Sequence, residues 1–154
     1  MFRLLVALSL LPVVALAGEI TPREGWRVMP TAYTHAELLE RLLAAVPEEG
    51  MGVVTQAGPT EAARARGVEI PENRVVGVFN NAVAVEILQL STAAMIEAPV
   101  RFYVTENDDG TATLSWKTPS LVFAPYSDEG GEELVAIAAE LDARFAAIAA
   151  RATR

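Results

Sequence analysis

Apolar and polar positions alternate most regularly between residues 100 and 117. Val100, Phe102 and Val104 alternate with Arg101, Tyr103 and Thr105, and Ala112, Leu114 and Trp116 alternate with Thr111, Thr113, Ser115 and Lys117. Between the two runs lies Asn107-Asp108-Asp109-Gly110, a turn sequence. A period of two on both sides of such a turn predicts a β-hairpin with one apolar and one polar face. That is the pattern of an antiparallel sheet whose one side is covered by helices and whose other side meets water, a ligand or a partner.

Upstream, Arg74 to Phe79 is a β-branched and aromatic run that predicts a strand, and from Asn80 the spacing becomes helical. Val83, Ile87, Leu90 and Ala94 recur on one face, which predicts a helix to about Ile96 with Asn80 or Asn81 as its cap. Glu86 is the only ionised residue from Asn81 to Ile96, so most of that helix is expected to be covered, by sheet and loops or by a second subunit. Thr34 and Glu37 form a capping box ahead of Leu38, Leu39, Leu42, Leu43 and Val46, a helix that Pro47 and Gly50 should end. Further strands are predicted at Trp26–Pro30 and Met51–Gln56, and a short helix at Pro59–Arg66 before Gly67. After the hairpin, Thr118-Pro119 opens a short helix through Phe123, and Asp128 to Gly131 reads as a turn. The last helix, Glu132 to Arg151, carries Leu134, Ile137, Leu141, Phe145 and Ile148 as its buried stripe.

Composition changes this picture at the N-terminus. Met1 to Ala17 reads as a secretory signal: Arg3 is the positive start, Leu4 to Leu11 the apolar centre, and Ala15-Leu16-Ala17 the cleavage site. Its apolar run is too short for a bilayer, which takes roughly 20 residues. The expected organisation is therefore a signal over 1–17, a flexible leader over 18–27 and one domain over 28–150, exported to the periplasm or medium. Cleavage removes Arg3 and takes the formal charge from -8 to -9. An acidic chain without a basic patch repels phosphate backbones and anionic lipid, so neither nucleic acid nor, after cleavage, a membrane is expected as a partner. There is no cysteine, which excludes thiol catalysis, thiolate metal sites and disulfides.

Catalytic motifs are missing. The chain has no G-x-S-x-G, Walker loop, H-E-x-x-H or dinucleotide fingerprint, and one histidine cannot build the usual metal site. No cofactor or metal is expected. His35, at the first position of its helix, is expected to be solvated, and Asp108 and Asp109 are turn residues before they are calcium ligands. What remains is a surface. If the polar side of the hairpin faces a cleft, Arg101, Tyr103 and Lys117 should converge with the free N–H groups behind Asn80 and Asn81 to hold a carboxylate or phosphate. The plainer alternative leaves Arg101 and Lys117 as solvent-side residues paired across the hairpin or with nearby acids.

Taken in order, Gly50-Met51-Gly52-Val53-Val54-Thr55, Arg74 to Asn81, Ala98 to Val104 and Thr118-Pro119-Ser120-Leu121 resemble the domain-of-unknown-function family 302 over residues 28 to 150. The resemblance implies a TATA-binding-protein-like α+β fold, an antiparallel sheet with helices on one face, and points to a homodimer; the name describes shape and implies no DNA binding. Members often carry Cys-Asn-Pro at the strand-to-helix turn and Pro-Cys at the later strand. Here those places read Phe79-Asn80-Asn81 and Pro99-Val100, so any thiol or metal role is not carried over. The expected function is a non-enzymatic exported module that binds a small anionic ligand or an envelope protein. One alternative is an enzyme that uses Arg101, Tyr103 or Lys117 on a small acidic substrate. The other is a purely structural homodimer, with an apolar patch on the helix of residues 82 to 95 or on the last helix.

Overall fold

The computed structural model describes residues 20–154, and the expected secretory segment, Met1–Ala17, lies outside the described residues. In chain order the elements are β1 (Trp26–Pro30), α1 (His35–Glu48), β2 (Gly52–Ala57), α2 (Thr60–Arg64), β3 (Asn73–Phe79), α3 (Asn81–Leu90), β4 (Val100–Glu106), β5 (Ala112–Lys117), α4 (Pro119–Phe123) and α5 (Ser127–Ala152). The strands form one sheet in the order β1-β5-β4-β3-β2, with every neighbouring pair antiparallel. This is the expected α+β fold. Strand structure begins at Trp26, inside the segment expected as leader, because β1 pairs with β5 from Trp26 opposite Lys117.

The hairpin alternation decides which side of the sheet is covered. Phe102 lies opposite Trp116 and Val104 opposite Leu114, and all four are buried beneath the helices with Val76 and Val78 of β3. The long helix α5 supplies Leu134, Leu141, Phe145 and Ile148 to this core, and α1 supplies Leu38, Leu42 and Val46. The Phe102 ring stacks on Phe145 at 4.6 Å between centroids and meets Trp116 at 5.5 Å. Arg101, Tyr103 and Lys117 therefore lie on the other side.

Local signals explain most of the ends. Thr34 and Glu37 make the reciprocal capping box, with the Thr34 N–H donating to Glu37 Oε2 at 2.9 Å. Thr118 caps α4 by accepting from the Leu121 N–H, and α4 is then tied to α5 by Ser120, whose N–H and hydroxyl both donate to Asp142. Asn80 caps α3 by accepting from the Val83 N–H at 3.1 Å, and its amide donates to the Gly50 carbonyl at 2.8 Å.

Four expectations are corrected. The helix predicted to Ile96 ends at Leu90, where Ser91 turns extended and its hydroxyl accepts from the Ala94 N–H and donates to Glu129; a 3-10 turn, Ala93–Glu97, follows. A serine hydroxyl competes with the backbone for those bonds and restarts the chain. The same helix is less covered than expected, for Val85 and Leu88 are about half exposed while Ala84 and Ile87 are buried. Finally, His35 is buried rather than solvated, at 8% exposure. Its position three residues before Leu38 puts it at the head of the apolar stripe of α1, which Leu38, Leu42 and Ala45 continue. The final helix also has helical backbone from Ser127, before the expected start at Glu132. Gly131, at φ 61°, breaks it there into two helical parts, a conformation that costs other residues more.

His35 Nε2 has no hydrogen-bond partner. Burial lowers its pKa below the ordinary 6.5, and Arg74 adds to that effect against the raising influence of Glu72, Glu106 and the Val104 backbone. The unfolded chain then holds the proton up to a higher pH than the folded one. Stability from the neutral ring is complete above 6.5 and is lost as pH falls through the folded-state value. Since His35 is the only histidine, the melting temperature should drop as pH falls below about 6.5, and His35→Leu should flatten that drop in a scanning-fluorimetry series. An unchanged slope in the variant would show that other groups are responsible.

Candidate functional site

The site grows out of where strand pairing stops. Beyond the Phe102 and Trp116 pair, β4 begins and β5 ends, and the chain leaves β5 through Thr118, whose N–H donates to the Gly25 carbonyl at 2.8 Å. That bond fixes the start of β1 beside the end of β5 and so holds Trp26 opposite Lys117. A cleft of about 260 Å³ opens at this end of the sheet. Arg101, Tyr103, Lys117 and Trp26 line it together with Glu97, from the 3-10 turn, and Val122, from α4. Val75, Val100, Phe102 and Trp116 complete the lining.

Its electrostatics are specific. Arg101 and Lys117 are exposed, and neither takes part in an ion pair among the described residues. The pairing that would have neutralised them is absent there. Lys117 Nζ stands 5.7 Å from the centre of the Trp26 ring, and the Arg23 guanidinium 5.3 Å, both within the range in which an aromatic face attracts a cation. The one carboxylate of the cleft, Glu97, accepts a hydrogen bond from the Tyr126 hydroxyl at 2.8 Å. That bond holds the Tyr126 hydroxyl above its ordinary pKa. On β3, the neighbour of Arg101 is Gly77, and a side chain there would meet Thr55 and Pro99. The strand therefore puts nothing against Arg101 from that side.

Of the five residues predicted to converge, three do. Arg101, Tyr103 and Lys117 share the cleft, whereas Asn80 and Asn81 do not line it. Asn80 instead borders a small apolar cavity of about 30 Å³ beside Ile87, Leu141 and Phe145. It also borders a surface hollow with Glu86, Glu140 and Arg144, where carboxylates outnumber the cation. The start of α3 thus faces acid rather than a waiting anion. Asn81 is exposed. Sequence reasoning missed Trp26 and Glu97. Trp26 was legible in principle, as an aromatic at the start of an edge strand, but its closeness to Lys117 follows from β1 pairing with β5, which no local pattern announces.

The polar face is also less open than the alternation implied. Thr113 and Ser115, on β5, are buried. The Thr113 hydroxyl donates to Asn107 Oδ1 at 2.9 Å, and the larger Tyr103 and Val28 lie opposite Ser115 on either side. Only the end with Lys117 stays accessible. Among the described residues no group of three or more histidine, aspartate or glutamate side chains is placed to hold a metal ion, and no helix is long and apolar enough to cross a membrane.

Comparison with known proteins adds a family and a fold. The solved structures include that of an uncharacterized conserved DUF302 protein from Bacillus stearothermophilus, 23% identical, with a TM-score of 0.75 over 86% of this chain and all of that one. No curated protein matches. The family model described as domain of unknown function DUF302 matches residues 28–152, most of the sequence, and the chain belongs to that family.

Proposed function

We propose that this protein is an exported binding module that holds a small anionic ligand in the cleft between Trp26, Arg101, Tyr103 and Lys117. One observation carries the reading. Two cations without an ion-pair partner among the described residues line an aromatic-walled cleft on a chain of formal charge -8. Cations that serve only solubility on an acidic surface usually stand near acids; these line a concavity, near the lower end of the size range of ligand clefts, roughly 300 Å³. Periplasm or medium is the expected place of action, from the secretory pattern of Met1–Ala17. The alternative of an enzyme would take its acid or base from Tyr103 or Lys117, since the one carboxylate here already accepts from Tyr126.

A second observation favours a homodimer. Val85 and Leu88, one turn apart on α3, are 45% and 47% exposed in a helix that carries a single charge. A second copy seated on this face would cover them. Sedimentation should then show a dimer that Leu88→Glu converts to monomer; a monomeric parent at tens of micromolar would end this reading.

Titration calorimetry with small carboxylates and phosphate tests the cleft. Arg101→Ala and Lys117→Ala should each weaken binding about tenfold or more, as loss of a charged hydrogen bond does, with the melting temperature little changed. Binding that ignores both substitutions, or no binding at millimolar anion, would contradict the proposal. Asn80→Ala separates cap from ligand contact: it should cost about 1 kcal/mol of stability and leave anion affinity as it was.

A further inference from the structure

Resting on the binding reading above, we infer that the ligand is a monocarboxylate with an apolar body, its charged head at the mouth beside Arg101 and Lys117 and its body against the half-buried Trp26, Val75 and Val122.

Charge and burial lead there separately. Arg101, Lys117 and Glu97 leave the cleft with a single net positive charge. A monoanion neutralises that charge, whereas a phosphate dianion would bring its second charge toward the Glu97 carboxylate, an unfavourable contact in a partly dry site. Burial is graded along the cleft. Arg101 and Lys117 are exposed and Trp26, Val75, Tyr103 and Val122 half-buried, whereas Phe102 and Trp116 turn their rings to the helix-covered side of the sheet. Trp26, Val75, Tyr103 and Val122 are the apolar or aromatic lining that is still partly exposed, so an anion that is all head, such as inorganic phosphate or acetate, would leave that wall facing water. A ligand with a hydrocarbon or aryl body covers it. Tyr103 lies between the two regions with an apolar ring and a polar tip, which suits the junction of head and body.

The test is calorimetric titration of the purified protein with acetate, phenylacetate and phosphate. Phenylacetate should bind at least about tenfold more tightly than acetate, the gain expected from burying an aryl group, and phosphate no more tightly than acetate. Glu97→Gln should raise phosphate affinity several-fold relative to phenylacetate. Val122→Thr, which keeps the shape of the side chain, should weaken phenylacetate and leave acetate unchanged, with thermal melts to confirm folding. Phosphate as the tightest ligand would overturn the inference in favour of a phosphoryl group. Equal affinity for acetate and phenylacetate would overturn it while leaving the anion site intact, and a protein that binds none of the three would remove both.

Discussion

The Phe102 ring, held between Phe145 of the last helix and Trp116 of the neighbouring strand, is the contact on which the placement of everything else depends. Phe102 and Phe145 are fully buried and Trp116 nearly so. Side chains alternate along a strand, so burying Phe102 and Trp116 sends Arg101, Tyr103 and Lys117 to the opposite side without further instruction. A slip of one residue in either strand would put a guanidinium or an ammonium beneath α5 and an indole in water. The cost of burying an unpaired charge is several times that of any single apolar contact, so the alternative registers are excluded by the charged residues as firmly as the native one is favoured by the aromatics. The covered face and the binding cleft are two results of one registry.

What the chain reveals in advance follows from how local each determinant is. The hairpin, the capping box at Thr34 and Glu37, the cap at Asn80 and the Thr118-Pro119 start are set by residues within a few positions of each other, and all appear as expected. Ser91 was harder to read because serine is tolerated inside helices; its role depends on Glu129, 38 residues away, which accepts a hydrogen bond from its hydroxyl and so holds the hydroxyl oxygen over the Ala94 N–H. His35 was misjudged through its residue type, although its spacing from Leu38 and Leu42 already placed it on the covered stripe. The candidate site divides in the same way. Arg101, Tyr103 and Lys117 share a face by alternation alone, a local property. Whether Asn80 and Asn81 join them depends on how far the start of α3 lies from the end of β5, and strand order decides that. With β4 between the strand that leads into this helix and the strand of Lys117, Asn80 stands near Glu86 and Glu140 instead, and Asn81 is exposed.

The overall charge bears on how such a cleft would work. A chain of formal charge -8 repels anions at long range, so it gains nothing from electrostatic steering. At physiological ionic strength, however, that field is screened beyond about 8 Å, and inside the cleft the nearest charges dominate. Arg101 and Lys117 would act there at contact distance, next to the low-dielectric surfaces of Trp26, Val75 and Tyr103. Binding should therefore be slow to begin and sustained by contact, with the apolar wall contributing as much as the cations. The acidic exterior also turns away multiply charged competitors, for whom long-range repulsion grows with each added charge while the cleft offers one net positive charge in return. Selectivity for a singly charged, partly apolar molecule would thus arise from the protein's net charge acting together with the lining of the cleft, and neither would supply it alone.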